Sequence, residues 1–351
     1  MEILRSTYLT LNDYNRISER DAWFDILKDL FDGKQNDYLQ KNVMTIAGTA
    51  GRADAGLAYE NPEEWVYKSL DLLAETLSDA ENTGRFAPAC VEYTVYGVHF
   101  IDKILGCDVF FKDGQWYSKR LETPVGTLKA PDLNNNETWK LAKRAALAFM
   151  KADVKLPLFG TPTLSSALNT VVNIYGSDAL LAMAEDPEPF KRDLKIINDT
   201  IMSLHTWYMR NIPARQLQPV VSWSRTQPPG YGQLCGCTTQ LVSASTYNAF
   251  IRPLDELLLG LYPGGGMVHL CGVHTQHIEA MSEMGCLKAV QLNDRAALDL
   301  ELYYKGLRKD QIIYLIPFEN MGVDKALQIT NGERLVICDA IKAPERKKYG
   351  R

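Results

Sequence analysis

The chain has 351 residues, 46% hydrophobic and 23% charged, a balance typical of a globular protein with a large buried core. A formal net charge of -5 excludes the basic surface that attracts nucleic acids or anionic membranes, and no apolar run is long enough to span a bilayer. The amino terminus lacks the apolar core of a secretion signal and the cysteines number seven, so we expect a cytoplasmic protein with reduced thiols.

The first third of the chain is predicted to be mostly helical. Asn12-Asp13 caps a helix that continues to residue 31, with apolar positions at helical spacing. Asn61 and Pro62 open a second helix that continues to residue 77, because proline suits the first turn and acidic residues follow it. Two further elements are predicted here: a hairpin that turns at Asp113-Gly114, and a helix that follows the loop 132–136 and ends near residue 151.

From residue 156 onward, short apolar runs alternate with amphipathic segments. The predicted strands are 156–159, 219–223, 267–270, 289–292, 312–316 and 335–338. The predicted helices are 166–174, 187–207, 245–261, 275–284, 295–304 and 323–329. Strands that alternate with helices over short links pair in parallel, and largely apolar strands are buried on both faces of their sheet.

These elements predict one α/β domain, a (β/α)8 TIM-type barrel with an extra, mostly helical N-terminal segment. The length suits a barrel better than an open sheet, since no strand is followed by the glycine-rich fingerprint of nucleotide-binding sheets. Gly264-Gly265-Gly266 precedes a strand instead of opening a helix, and we interpret it as a turn. Residues 1–150 then hold the helical extension and the first barrel units, and residues 151–351 hold the remaining units and the metal site.

The tripeptide His269-Leu270-Cys271 ends one of the predicted strands. Side chains two residues apart on an extended chain point to the same side, so the imidazole and the thiol form half of a typical zinc site. Reactive groups of such barrels lie at the carboxyl ends of strands, and Cys338 closes the last predicted strand, which makes it a candidate third ligand. The competing interpretation is that both cysteines are small buried hydrophobic residues and that His269 is a core histidine.

Other positions near predicted strand ends have two interpretations each. Cys235 and Cys237, in a glycine-rich loop, could supply an alternative metal ligand or form a redox pair, or could be loop cysteines without a function. His274, just after the HxC pair, could bind substrate or orient a ligand, or simply begin a helix. Asn293 and Glu319 follow strand ends and could bind substrate or reach the metal, with helix capping as the alternative for Asn293.

Several stretches of the sequence occur together in an order that is found in a known family. They are GTPT at 160–163, YGSD at 175–178, EDPE at 185–188, LVSASTYNAFIRP at 241–253 and HLCG at 269–272. The set resembles the uroporphyrinogen decarboxylase superfamily, and within it the zinc-dependent methylcobamide:thiol methyltransferases of the coenzyme M type. The resemblance covers about residues 150 to 300, and the remainder agrees in general layout.

The resemblance implies a barrel in which His269, Cys271 and Cys338 bind zinc. It also implies that a methyl group moves from a methylated corrinoid, carried on a partner protein, to a small thiol or another carrier whose sulfur takes the open fourth zinc position. In the family a proline-rich stretch usually follows the third ligand, and residues 340–344 depart from it. Cys235 and Cys237 therefore remain alternatives to Cys338 as the third ligand. The other candidate site residues are Glu319 and His274 as catalytic groups, and Arg225 and Asn293 as cofactor-binding groups.

Two other functions are compatible with the sequence. One is a metal-independent decarboxylase or lyase for a tetrapyrrole or other polyacid, which needs cationic groups at the barrel mouth; Arg225 is the first candidate, before Arg252 and Arg295. The chain lacks the arginine-rich amino-terminal segment of true uroporphyrinogen decarboxylases, which argues against porphyrin decarboxylation. The other is a non-catalytic corrinoid- or metal-binding protein. The sequence leaves open the methyl acceptor, the partner protein and whether the chain is a monomer or a homodimer.

Overall fold

Parallel β-strands form the centre of the computed structural model, which describes residues 3–77, 84–219 and 223–339. The strands in these ranges are β1 (Met44–Ile46), β2 (Thr49–Gly51), β3 (Ala89–Glu92), β4 (Val109–Lys112), β5 (Gln115–Ser118), β6 (Leu158–Gly160), β7 (Leu217–Gln218), β8 (Gly232–Cys235), β9 (Gly266–Cys271), β10 (Leu287–Asn293), β11 (Ile312–Leu315) and β12 (Leu335–Cys338). Six form a sheet in the order β1-β12-β11-β10-β9-β8, and four form a sheet in the order β2-β3-β6-β7. Every pairing in these two sheets is parallel.

The two parallel sheets meet where β1 continues into β2. Ile46 of β1 forms a parallel bridge with Phe86, just ahead of β3, so the strands follow one another from β7 around to β8. This arrangement is compatible with the predicted barrel. A pairing between β7 and β8, which would close the ring, is not among those of the described ranges, so a closed barrel and its number of eight strands stay predictions.

Helices surround the strands and cover their outer faces. The α-helices of the described ranges are α1 (Arg5–Leu11), α2 (Tyr14–Phe31), α3 (Asp37–Lys41), α4 (Leu57–Glu60), α5 (Pro62–Leu77), α6 (Phe100–Ile104), α7 (Glu137–Lys151), α8 (Ala167–Tyr175), α9 (Ser177–Glu185), α10 (Pro187–Asn211), α11 (Ala244–Thr246), α12 (Arg252–Leu259), α13 (Ile278–Glu283), α14 (Leu300–Gly306) and α15 (Val323–Thr330). Within the same ranges, none of them combines the length and the apolar character needed to cross a bilayer.

The predicted helix starts and the hairpin are confirmed. The side chain of Asp13 accepts a hydrogen bond from the backbone N–H of Arg16 at 3.0 Å, which caps α2. At the start of α5, the side chain of Asn61 accepts from the N–H of Glu64 at 3.2 Å. Strands β4 and β5 pair antiparallel on either side of the predicted turn.

The first third of the chain contains more strand than the sequence predicts. Strands β1, β2 and β3 lie in the segment predicted to be mostly helical. They are three or four residues long, and residues such as Ala50, Gly51 and Ala89 have weak strand preference. Their partners are remote in sequence, since β1 pairs with β12, so no local pattern indicates them. Of the predicted strand 219–223, residues 220–222 lie outside the described ranges.

A hydrophobic cluster covers part of the inner face of the strands. Alternate residues of neighbouring strands contribute to it, among them Met267 of β9, Tyr314 of β11 and Cys338 of β12. Helix α2 covers one side of the cluster with four buried side chains, including Phe24 and Phe31. A second, larger cluster lies between the outer faces of the strands and the surrounding helices. The polar side chains described below are exceptions within an otherwise apolar interior.

The predicted helix 245–261 is interrupted by a π-helical turn at Tyr247–Ile251, between α11 and α12. The interruption ends two residues before Pro253, whose ring does not fit the interior of a regular helix. The wider turn brings the hydroxyl of Tyr247 to 3.0 Å from Oδ2 of Asp255, to which it donates a hydrogen bond. Both side chains are buried, and the ring of Tyr247 packs on His277.

Burial of Asp255 makes the stability of the protein depend on pH. Burial raises the pKa of its carboxyl from 3.8 to about 7, so between these values the unfolded chain ionises while the folded chain does not, and stability falls as the pH rises. We expect Asp255→Asn, which keeps an acceptor for Tyr247, to raise the free energy of unfolding at pH 8 by at most about 4 kcal/mol and to change it little at pH 4. Urea denaturation at both pH values measures this. The exposed Asp324→Asn serves as control, and an equal gain at both pH values would contradict the expectation.

Candidate metal centre

Strand β9 carries the HxC pair to its carboxyl end. The strand register sets His269 beside Cys235 of β8 on one side and Gln291 of β10 on the other. One step further, Cys271 lies beside Asn293. Residues that pair across parallel strands share a face, so these side chains point towards the enclosed interior and its open end.

The side chains of Cys237, His269 and Cys271 converge at this end of the interior. Cys237 begins a 3-10 turn (Cys237–Leu241) directly after β8, and the turn carries its thiol over the end of β9. One ligand atom from each of the three residues lies within 4.8 Å of the other two, the only such cluster of histidine, cysteine or acidic residues in the described ranges. His269 is buried, whereas the two cysteines are partly exposed.

The thiols of the two cysteines in this cluster contact each other. Their Sγ atoms are 2.8 Å apart. The hydrogen bond with Cys237, and then that with His269, lowers the pKa of Cys271 to about 5, while the same bond and burial raise the pKa of Cys237. The lowered pKa favours the thiolate of Cys271, the form in which a cysteine binds metals.

Gln291 sets the tautomer of His269. Its side-chain Oε1 contacts Nδ1 of the imidazole, and both residues are buried. An amide oxygen accepts hydrogen bonds only, so Nδ1 donates to it, and Nε2 is the ring nitrogen left for the cluster. Metal-binding histidines are commonly oriented in this way by a partner on their other nitrogen. Gln291 was not predicted from the sequence, although a polar residue within the apolar run 289–292 is a usable signal.

His274 ties the turn that carries Cys237 to the end of β9. Its Nδ1 lies 2.8 Å from Oγ1 of Thr239, and its Nε2 lies 2.8 Å from the backbone oxygen of Cys271. The Thr239 hydroxyl also contacts the backbone oxygen of Gly236 at 2.8 Å, and Nε2 of His277 lies 2.9 Å from the backbone oxygen of Thr239. His274 is fully buried, and both of its ring nitrogens are engaged by the chain itself.

Cys338, the candidate third ligand, is not brought to the HxC pair. It ends β12, three strands away from β9 in the sheet order, and is absent from the cluster of ligand atoms. Its side chain is fully buried in the apolar interior, and burial raises the pKa of its thiol. The structure instead brings Cys237, one of the two alternatives that the sequence left open, to His269 and Cys271. Cys235 points into the interior beside His269.

The remaining candidate residues lie at different distances from the cluster. Asn293 is beside Cys271 in the strand register, and its amide donates to Asp294 at 3.2 Å instead of capping the following turn. Glu319 is exposed in a turn after β11 and is outside the cluster. Arg225 ends a 3-10 turn (Trp223–Arg225) between β7 and β8, and its side chain is buried.

The donor set of the cluster fits zinc. Two sulfurs and one imidazole nitrogen are ligands that zinc prefers, and three protein ligands with a free fourth position distinguish catalytic zinc sites from closed structural ones. Nε2 is the ring nitrogen of His269 that Gln291 leaves available, and the lowered pKa of Cys271 favours its metal-binding form. The partial exposure of the two cysteines leaves the site open to a ligand from solution.

No family profile and no curated protein sequence matches the chain. Among solved structures, its fold is similar to that of a methyltransferase from Methanosarcina mazei. The superposition has a TM-score of 0.62 and covers 91% of this chain and 92% of that chain, with 12% sequence identity. At this identity the similarity shows a common fold over nearly the whole length of both proteins.

Proposed function

We propose that the chain is a zinc-dependent methyltransferase of the uroporphyrinogen decarboxylase superfamily. It would move a methyl group from a methylated corrinoid, carried on a separate protein, to a small thiol or another carrier. The observation that carries the proposal is the cluster of Cys237, His269 and Cys271 at the ends of adjacent strands. The fold shared with a methyltransferase over nearly the whole chain supports it.

In this proposal Cys237, His269 and Cys271 hold the metal, and the acceptor sulfur takes the fourth position. Bound zinc would lower the pKa of the acceptor thiol so that its sulfur reacts as a thiolate at neutral pH. The acceptor would lose its proton and gain the methyl group, and the corrinoid would keep the electron pair of the broken carbon–cobalt bond.

The residues around the ligands would position them. Gln291 holds the imidazole of His269 with Nε2 directed away from it. His274 joins Thr239 to Cys271 and so fixes the distance between the two ligand-bearing segments. We therefore propose a positioning role for His274 in place of the catalytic one. Asn293, beside Cys271, would face the substrates, and a catalytic role of Glu319 stays a prediction.

Anaerobic methyl transfer with free methylcobalamin tests the function. The zinc-loaded chain is mixed with methylcobalamin and either 2-mercaptoethanesulfonate or homocysteine, and demethylation is followed by absorbance. We expect transfer by the wild type, and a loss of more than about 100-fold for His269→Gln, beyond the loss typical of residues that only support a metal ligand. Cys286→Ser, outside the cluster, should keep full activity.

Three results of this assay would contradict the proposal. Full activity of the metal-free chain would exclude a catalytic zinc. Release of carbon dioxide from a polycarboxylate by the metal-free chain would favour the decarboxylase alternative, for which Arg225 is the candidate cation. Binding of methylcobalamin without transfer at any zinc concentration would favour a non-catalytic corrinoid-binding protein.

A further inference from the structure

The segment that follows β7 holds a buried arginine against the enclosed interior. The backbone oxygen of Thr226, next to Arg225, accepts a hydrogen bond from the Tyr314 hydroxyl at 3.0 Å, and Tyr314 belongs to the interior cluster. The following residue, Gln227, donates from its side chain to the backbone oxygen of Gly232 at 2.8 Å. The segment is thus fastened to both β11 and β8, and Arg225 is only 7% exposed.

Within the described ranges, the charge on the guanidinium of Arg225 is not neutralised by an ion pair. Its Nε and Nη1 atoms are buried without a hydrogen-bond partner, and no carboxylate of the described ranges forms an ion pair with it. The thiol of Cys338 is fully buried, and burial raises its pKa, so it supplies no negative charge to balance the guanidinium. A buried cation without a counter-ion is strongly unfavourable.

Unpartnered amide groups occur in the same interior. Gln233 of β8 pairs in register with Met267 of the interior cluster, is 3% exposed, and has no partner for either its Oε1 or its Nε2. Gln291, whose oxygen contacts His269, has no partner for its Nε2. Buried polar groups are almost always hydrogen-bonded, and exceptions gathered in one place need an explanation. Here they supply one positive charge and several N–H donors, and two amide oxygens, those of Gln227 and Gln233, are unpartnered acceptors.

We infer that this interior binds the carboxylate of a small organic molecule, with Arg225 as its counter-ion and the amide of Gln233 as a further contact. A planar carboxylate fits the flat guanidinium, and its single negative charge matches the single unpaired positive charge. Inorganic phosphate would bring more negative charge than one arginine balances. The free Oε1 of Gln233 would accept a hydrogen bond from a hydroxyl or ammonium group of the same molecule. The inference does not require a metal or methyl transfer.

Binding of simple anions to the full-length, metal-free chain tests the site. Isothermal titration and thermal unfolding are measured with sodium acetate, propionate, succinate, phosphate and chloride at matched ionic strength. We expect the carboxylates to bind and raise the melting temperature, and chloride to have no such effect. Arg225→Met should weaken carboxylate binding at least tenfold and melt no lower than the wild type without ligand, because it removes the unpaired buried charge. Gln233→Leu should also weaken binding, and provides a second variant if Arg225→Met does not fold.

Arg144→Met is the matched control, since Arg144 forms a partly exposed ion pair with Glu63 far along the chain from this segment. It should bind carboxylates like the wild type. If the wild type and Arg225→Met show the same binding and the same change in melting temperature with every anion, the response is a general salt effect and the inference is wrong. Binding of phosphate with no binding of carboxylates would overturn the ligand class. Because no metal is present, these results are independent of the methyl-transfer assay, and either proposal can fail alone.

Discussion

Replacing Cys237 by serine should deprive the chain of its metal, whereas replacing Cys338 by serine should leave the metal in place. The ligand atom of Cys237 lies within 4.8 Å of those of His269 and Cys271, and that of Cys338 does not belong to this cluster. Serine offers a neutral hydroxyl in place of a thiolate, and loss of a direct ligand should weaken zinc binding by more than about 100-fold, beyond the usual effect of a supporting residue. Anaerobic zinc determination and the absorption spectrum of the cobalt-substituted chain measure the difference.

The comparison of Cys237→Ser with Cys338→Ser needs a control cysteine that lies outside both the ligand cluster and the interior. Cys286 is partly exposed ahead of β10, so Cys286→Ser should retain zinc like the wild type. If Cys338→Ser empties the site while Cys237→Ser retains it, the ligand set implied by the family resemblance is correct and the geometric assignment is wrong. Loss in both variants would mean that four side chains share the metal, which leaves no open position for a substrate sulfur.

Replacing Gly265 by alanine should destabilise the whole protein. Gly265 has a φ of +71°, and a Cβ at this position would lie 2.1 Å from the backbone oxygen of Cys286. That oxygen accepts the N–H of Gly266 at 2.9 Å, which starts the pairing of β9 with β10. The left-handed conformation and the displaced carbonyl together should cost about 3 kcal/mol or more in the free energy of unfolding, measured by urea denaturation.

A neighbouring glycine provides the control for this substitution. A Cβ on Gly285 would meet no atom within 4 Å, so Gly285→Ala should change the free energy of unfolding by no more than about 0.5 kcal/mol. If the Gly265→Ala protein loses as little stability as the Gly285→Ala protein, the expectation is wrong, because the carbonyl of Cys286 then moves aside without a measurable free-energy cost. The zinc content of any folded Gly265→Ala protein should also fall, because β9 carries two of the three ligands.

The sequence predicted the second half of the fold better than the first. Strands β9 to β12 are apolar runs with clear ends, and they form at the predicted places. The sequence also predicted that His269 and Cys271 share a side of β9, because alternation along a strand is a local property. It did not predict β8, whose Gly232 and Gln233 interrupt the apolar pattern, and so Cys237 was assigned to a loop without a known neighbour.

The identity of the third ligand depended on information that no local pattern contains. A residue at the end of a strand has a known position along the strand axis. Cys271 and Cys338 each end a strand, so the sequence places both at the same end of the sheet. The position of each strand around the sheet is set by pairings between remote segments. These pairings separate β12 from β9 by two strands and set β8 directly beside β9.

The pairing of β1 with β12 also constrains when the protein can fold during its synthesis. Met44 pairs with Val336, so two strands about 290 residues apart must meet before the six-stranded sheet is complete. The segments that carry Cys237, His269 and Cys271 leave the ribosome well before residue 338 does. Until then β11 has an exposed edge, which is open to pairing with other nascent chains. The sheet that carries the ligand cluster is therefore complete only near the end of translation. Because many of its contacts join segments remote in sequence, we expect slow folding.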